Sequence, residues 1–145
     1  MLKNLLIKYY FCRFLKRNKF TWEIFLLPTT LQINPFVMII LEPINDKILF
    51  NKMKLGLHEA LVNAAKHGNL NNPKKFIRVR RVITPNWFVL QIQDEGTGSS
   101  FESRKTTLPL EIDAEGGRGF FLISKSFDDI RWNKRGNRIQ LACKK

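Results

Sequence analysis

The sequence is poor in cysteine, in acidic residues and in long apolar runs. Its two cysteines, Cys12 and Cys143, lie near opposite ends and have no Cys-x-x-Cys spacing, which argues against a disulfide framework or a structural zinc site. The longest uninterrupted aliphatic and aromatic run, residues 36–41, has six residues. A membrane-spanning helix needs about 20. We therefore expect no transmembrane helix.

Acidic residues are outnumbered, with 12 Asp and Glu against 25 Lys and Arg, giving a formal net charge of +13. This balance favours phosphate-bearing ligands, acidic proteins, nucleic acid or an anionic membrane surface, and charge alone does not choose among them. The opening segment is basic and apolar, but Lys8 and Arg13 interrupt it and no small-residue cleavage site follows. It is a poor signal peptide, so a cytoplasmic location is predicted.

Internal repeats and low-complexity tracts are also missing from the sequence. A chain of 145 residues with 44% hydrophobic content suits one packed domain. We expect a domain over residues 20–145, preceded by a basic amphipathic extension at 1–19. The extension is interpreted as a poorly ordered segment or a helix that caps the domain, in preference to a helix that touches a membrane or a partner.

Apolar periodicity predicts an ordered series of strands and helices. In chain order these are a strand from Phe20 to Pro28, an apolar helix or irregular segment at 31–42, a helix from Asn45 or Asp46 to Gly68, a hairpin around 84–86, a long loop, a helix from Arg118, and a hairpin around 134–137. The apolar surface of the central helix is assigned to Ile48, Leu49, Leu55, Leu57, Leu61, Val62 and Ala65. The series predicts an α/β two-layer sandwich, a mostly antiparallel sheet with helices on one face.

The central helix carries the first candidate site. Glu59 and Asn63 are four residues apart, so their side chains project from the same face. An amide oxygen is a hard ligand suited to Mg²⁺, and a carboxylate can orient or deprotonate an attacking hydroxyl. Taken alone, the spacing is also typical of a solvated helix surface.

A glycine-rich turn follows the second predicted strand of the first hairpin. Asp94 can accept a hydrogen bond from an exocyclic amine such as that of adenine, and Gly96 and Gly98 let the chain turn with positive φ and approach a flat ligand. The alternative is an ordinary turn with no ligand.

A second glycine cluster opens the helix near residue 118. Gly116, Gly117 and Gly119 precede or begin this helix, and Arg118 adds a positive charge. Free backbone amides at a helix start form an anion site suited to polyphosphate. A tight turn that merely precedes a helix remains the alternative for this motif by itself.

Together and in order, the three motifs resemble the N box and the two glycine boxes of the Bergerat-fold ATPases, which include gyrase-type ATPases and histidine kinases. The runs LHEALVNAAKHGN, DEGTG and GGRGFFLI are most similar to the small anti-sigma-factor serine/threonine kinases of bacterial partner-switching systems. The resemblance covers roughly residues 20–145. It implies a Bergerat ATP-binding fold, in which ATP lies between the sheet and the central helix beneath a flexible lid.

The resemblance also implies roles for the residues of the central helix. Asn63 is expected to ligate the Mg²⁺ that bridges the phosphates, and Glu59 to act as the base toward a serine hydroxyl. Lys66 and His67, one turn further on, either border the triphosphate or are surface residues at the helix end.

For the two glycine motifs the resemblance implies nucleotide contacts. Asp94 is expected to hold the adenine amino group, with Gly96 and Gly98 shaping the pocket, and residues 99–116 to form the lid. The expected phosphate contacts are Gly117, Arg118 and Gly119. The family often has a threonine near the turn of the final hairpin, where this sequence has Asn137, a residue that can still form hydrogen bonds.

The function implied is an ATP-binding anti-sigma regulatory protein that holds a sigma factor and phosphorylates an antagonist protein on serine, with a homodimer possible. The alternative is an ATP-binding or degenerate module that sequesters a partner without kinase activity. Nucleic-acid binding, suggested by Arg78, Arg80 and Arg81, ranks last because the basic residues are scattered. A complete sensor kinase is not expected, since no histidine-kinase phosphoacceptor region is recognised.

Overall fold

The computed structural model describes residues 15–17, 20–98 and 118–145. These residues form one antiparallel sheet of six strands in the order β1-β2-β3-β4-β6-β5. The strands are β1 Leu15–Arg17, β2 Phe20–Pro28, β3 Phe76–Ile83, β4 Trp87–Gln93, β5 Asp129–Trp132 and β6 Arg138–Lys144. The helices are α1 Asn34–Ile40, α2 Lys47–Asn63 and α3 Arg118–Ser126, and a π-helical turn, Ala64–Gly68, continues α2.

This architecture is the predicted two-layer α/β sandwich, with both hairpins in place. One difference lies at the start of the chain, where Leu15–Arg17 pair with β2 as a strand. Both interpretations of the extension at 1–19, a poorly ordered segment and a capping helix, are wrong for these three residues, because pairing with an otherwise open sheet edge satisfies their backbone groups. The rest of that extension lies outside the described residues.

The long helix α2 begins where its sequence predicts. The side chain of Asp46 accepts a hydrogen bond of 2.8 Å from the backbone N–H of Leu49, which satisfies one of the free amides of the first turn. At the other end the backbone widens into the π-helical turn, and the N–H of Asn69 donates to the carbonyl of Ala64. In the part of the chain that the structure describes, no helix has both the length and the apolar character needed to cross a bilayer.

The core lies between the helices and one face of the sheet. The largest fully buried side chains include Phe25, Phe88, Ile33, Ile40, Leu41, Met53, Leu57, Leu61, Ile77, Leu90, Ile92 and Ile123. Two residues assigned to the apolar surface of α2 are exposed instead, Ile48 by 83% and Leu55 by 48%. The buried face of α2 follows Met53, Gly56 and Ala60 at helical spacing, and Ile48 and Leu55 lie off that face.

Arg81 is a buried cation on the core-facing side of β3. It is 6% exposed, lies over the Phe25 ring, pairs with Glu23, and its Nη1 donates to the backbone carbonyls of Ile39 (3.1 Å) and Ile40 (2.7 Å). It thereby ties the end of α1 to the sheet. Because successive strand residues alternate between faces, Arg81 lies on the opposite side of β3 from Arg78 and Arg80, so the three arginines that suggested nucleic-acid binding do not share one surface.

The contact between α2 and α3 depends on Gly56. A Cβ there would overlap Ser126 Cβ and would lie 2.6 Å from Ser126 Oγ and 2.9 Å from Phe127 Cε2. We expect Gly56→Ala to lower the free energy of unfolding by about 1–3 kcal/mol through overpacking. Urea denaturation measures this change.

A second substitution tests whether Ser126 is the cause. In the double variant Gly56→Ala, Ser126→Gly the two overlapping atoms of Ser126 are gone and only the edge of the Phe127 ring remains close, so the two changes should be coupled by at least about 0.5 kcal/mol. If Gly56→Ala instead stabilised the protein, as the higher helix propensity of alanine favours by about 1 kcal/mol, the close packing would be wrong.

Candidate functional site

A cavity of about 480 Å³ lies between α2, α3 and the carboxyl end of β4. This volume is in the range of about 300–1,000 Å³ typical of small-molecule sites. Five of the candidate residues line it: Glu59, Asn63, Asp94, Gly98 and Gly119. Lys66 and His67 also line it, whereas Gly96 and Arg118 are not among its lining residues.

The first turn of α3 lies directly beside the polar face of α2. A Cβ built on Gly119 would be 3.0 Å from Glu59 Oε2 and 3.7 Å from Asn63 Oδ1. The absence of a side chain at Gly119 therefore leaves room for backbone, carboxylate and amide to meet at one end of the cavity. The Glu59 side chain is 25% exposed and lies 3.8 Å from His58 Nδ1.

Asp94 occupies the other end of the cavity. Its Oδ1 accepts a hydrogen bond of 2.8 Å from the Gly96 N–H, and its own N–H donates to the Asn137 carbonyl at 3.0 Å. Gly68 packs against the carboxylate so closely that a Cβ there would overlap Asp94 Cγ. Burial raises the pKa of Asp94, and the Gly96 hydrogen bond offsets part of that increase.

The glycines of the turn that follows β4 serve close packing. Gly98 has φ +96°, and a Cβ there would overlap the carbonyl oxygen of Arg135. Gly96 does not have the positive φ predicted for it; it packs on the carbonyl of Gly68, and its N–H donates to Asp94. Gly96 thus does not line the cavity, and it contributes by holding the Asp94 side chain in position.

Three further residues hold this turn, and of these only Asn137 was noted in the sequence. Asn69 is fully buried: its Nδ2 donates to Thr29 Oγ1 (2.8 Å) and to the Phe76 carbonyl (3.0 Å), and its Oδ1 accepts from the Glu95 N–H (2.7 Å). The other two residues act from the β5–β6 hairpin. Asn137 Nδ2 donates to the Asp94 carbonyl at 3.2 Å, and Arg135 donates to the carbonyls of Gly96 and Thr97.

The second glycine motif is described only in part. Arg118 is exposed at the start of α3, and Gly119 follows it in the wall of the cavity. Gly116, Gly117 and the predicted lid at 99–116 lie outside the described residues. Their expected roles therefore stay predictions.

The side chains of this cavity suit a metal ion that is coordinated mainly by the phosphates of a bound nucleotide and by water. Within residues 20–98 and 118–145, no group of three His, Cys, Asp or Glu side chains is placed to hold a metal ion. Mg²⁺ in nucleotide sites usually takes one or two protein oxygens and completes its shell with phosphates and water. Asn63 Oδ1, beside the backbone of Gly119, fits that pattern.

Residues 44–143 match the family model of the histidine kinase-like ATPase domain. The match covers more than half of the chain, and the chain belongs to this family. The motif resemblance predicted this class, and the antiparallel sheet with helices on one face agrees with it.

Among individual proteins, the chain is similar to the serine-protein kinase RsbW of Listeria. It is 33% identical over 86 residues to that of Listeria monocytogenes serotype 4a (strain HCC23), covering 54% of this chain and 55% of the relative. The same identity and coverage hold for the protein of Listeria innocua serovar 6a. The chain thus spans about half the length of the curated relatives it matches.

Proposed function

We propose that this protein binds MgATP in the cavity between α2, α3 and β4 and transfers the γ-phosphate to a serine of another protein. One observation carries the proposal: Glu59, Asn63, Asp94 and Gly119, drawn from three separate motifs, line the same cavity. Membership of an ATPase-domain family and similarity to proteins named serine-protein kinases support it.

The chemistry of the lining residues fits the nucleotide from one end to the other. Asp94 offers a carboxylate to the adenine amino group, and Asn63 offers its amide oxygen to Mg²⁺. Near the start of α3, the backbone amides around Gly119 suit the phosphates, and Arg118, which is exposed and does not line the cavity, adds a positive charge next to them. Bound Mg²⁺ neutralises charge that develops on the transferred phosphoryl group.

Glu59 is assigned as the general base. Its carboxylate accepts the proton of the serine hydroxyl as the serine oxygen bonds to the γ-phosphorus and the bond to the leaving ADP oxygen breaks. Asn63, one turn along α2, would hold the metal through its amide oxygen. Both proposed roles thus belong to side chains of one helix.

The proposed partners follow the family resemblance. The protein holds a sigma factor and thereby inhibits it. It also phosphorylates, on a serine, the antagonist protein that opposes this inhibition. The phosphate adds about two negative charges, which disfavours the complex with the antagonist and releases it. Copurification of the chain with both kinds of protein would support these partners.

Two measurements on the same preparation test the proposal. Isothermal titration with MgATP should show one site per chain, and labelled ATP should transfer its γ-phosphate to serine of candidate antagonist proteins. Binding without transfer to any candidate would point to a sequestering module. An absence of MgATP binding would contradict the nucleotide site itself.

Arg135 provides a prediction about the turn beside the adenine end. Its Nε donates to the Thr97 carbonyl at 3.3 Å and its Nη2 to the Gly96 carbonyl at 3.2 Å. Because these bonds hold the turn without lining the cavity, Arg135→Ala should weaken MgATP binding by about three- to tenfold, the loss expected for one or two modest hydrogen bonds. Titration calorimetry measures it. Lys134→Ala, at an exposed position in the same hairpin turn, is the matched control, and equal affinities in the two variants would contradict the role.

A further inference from the structure

The face of the sheet opposite the helices forms a second distinct surface. We define the open face by the outward positions of β2, β3, β4 and β6, and none of the described helices packs against it. At its centre is a shallow concavity of about 250 Å³. The concavity is lined by Trp22, Ile24, Arg78, Arg80, Gln91, Gln93 and Arg138.

Sheet register brings three arginines together on the open face. Arg78 pairs with Gln93, which pairs with Arg138, so one row across three strands reads arginine, glutamine, arginine. In the next row Arg80 pairs with Gln91. The concavity therefore presents guanidinium groups flanked by amides, a donor set that matches carboxylates in bidentate geometry.

The positive charge of this surface is not balanced within the described part of the chain. Arg78, Arg80 and Arg138 take part in none of the ion pairs found there. The acidic residue that shares the outward side of β5, Asp129, is paired with Arg131 at 2.8 Å. An acidic ligand would thus meet three exposed arginines that carry no other charge partner among these residues.

Apolar side chains lie beside the arginines. Ile24 pairs with Arg80 and Leu26 with Arg78, while Val82 and Val89 pair with each other one row away. All four are partly exposed. The open face therefore combines a cationic centre with apolar neighbours, which suits an acidic segment that also carries apolar residues.

We propose that the open face binds an acidic, amphipathic segment of a partner protein. Carboxylates of that segment pair with Arg78, Arg80 and Arg138, and its apolar residues cover Ile24 and Leu26. This site lies on the opposite face of the sheet from the nucleotide cavity, and it does not depend on nucleotide binding or phosphoryl transfer.

Two other occupants fit the open face less well. A second copy of the chain would bring two sets of unpaired arginines together, which costs energy through like-charge repulsion. Single-stranded nucleic acid needs aromatic faces on which bases stack. In the concavity the ring of Trp22 is already covered by Arg80, whose Cζ is 5.3 Å from the ring centroid.

Fluorescence anisotropy with a labelled 12-residue peptide of alternating Glu and Leu tests the proposal on the nucleotide-free full chain. The peptide should bind the wild-type protein at least about tenfold more tightly than a Lys and Leu analogue, and Arg78→Glu, Arg80→Glu should lose at least about tenfold in affinity. Lys47→Glu, Lys54→Glu is the matched control, because it changes net charge equally at exposed positions on α2. Arg78→Gln, Arg80→Gln repeats the test without charge reversal.

The outcomes separate the occupants. Retained binding in the control with loss in both arginine variants supports the site. Equal loss in all variants would mean that the peptide senses only net charge, and that result overturns the proposal. Tighter binding of a 12-nucleotide single-stranded DNA to the same arginines would assign the face to nucleic acid. A sedimentation shift that shows self-association, and that the arginine variants abolish, would assign it to a second copy of the chain. MgATP affinity, measured in parallel, keeps this result independent of the nucleotide site.

Discussion

A Glu59→Gln variant is expected to bind MgATP within about threefold of the wild-type affinity and to transfer phosphate at least about 100-fold more slowly, the smaller end of the usual contribution of a general base. Glutamine keeps the shape of the side chain beside Gly119 but cannot accept the serine proton. Because Asp94 and Asn63 are unchanged, nucleotide binding should survive. Titration calorimetry and a single-turnover assay with labelled ATP measure the two quantities separately.

Glu42→Gln is the control for Glu59, since it removes one carboxylate at an exposed position just after α1. It should leave binding and transfer unchanged. If Glu59→Gln weakened binding and transfer equally, the carboxylate would support the pocket without acting as the base. Unchanged transfer would assign the base to another residue.

An Asp94→Asn variant is expected to lose at least about 100-fold in MgATP affinity without losing stability. One oxygen of Asp94 accepts the Gly96 N–H, and the other is left for the adenine amino group. Asparagine has one acceptor oxygen, so it must give up one of these bonds and turn an N–H₂ toward a donor. Loss of a hydrogen bond to a charged group, with a mismatched donor in its place, is worth about 3 kcal/mol.

The stability of the same variant carries a pH signature. Burial raises the pKa of Asp94 in the folded protein, so the native state holds the proton more readily than the unfolded chain. The free energy of unfolding of the wild-type protein therefore falls as pH rises from the ordinary carboxyl pKa through the raised pKa of Asp94. Above the raised pKa the loss of stability is complete and stays constant. Asparagine does not titrate.

Denaturation curves across that window check the sign. Asp94→Asn should become more stable relative to the wild-type protein as pH rises, and the difference should level off above the raised pKa. A variant that is less stable at neutral pH would show that the carboxylate supports the fold. If Asp94→Asn kept the wild-type affinity for MgATP, Asp94 would not be the residue that recognises adenine.

The elements that sequence predicted well are those set by local rules. Asp46 caps α2 through its own side chain, and alternate burial of Ile77 and Val79 marks the core face of β3. The site motifs were likewise readable because each is a short run: a helix face with Glu59 and Asn63, and glycines whose lack of Cβ the turns require. Convergence of these runs on one cavity followed from the resemblance and not from any run alone.

The elements that sequence did not predict depend on contacts between distant segments. Asn69 reaches Thr29, 40 residues earlier, and Glu95, 26 residues later, and Arg135 reaches Gly96 across 39 residues. No local pattern distinguishes such residues from ordinary polar positions. The burial of Arg81 was not predicted for the same reason, because its acceptors at Ile39 and Ile40 belong to a helix more than 40 positions away in the chain.

The buried amide of Asn69 makes the structure sensitive to a chemical change at this one side chain. Its nitrogen serves two acceptors, Thr29 Oγ1 and the Phe76 carbonyl, while its oxygen serves the Glu95 N–H. Hydrolytic deamidation would replace that nitrogen with a carboxylate oxygen and set it against two other oxygens. A single ageing reaction at this position would then loosen the ends of β2 and β3 together with the turn beside Asp94, so that the sheet and the wall of the cavity would weaken in step.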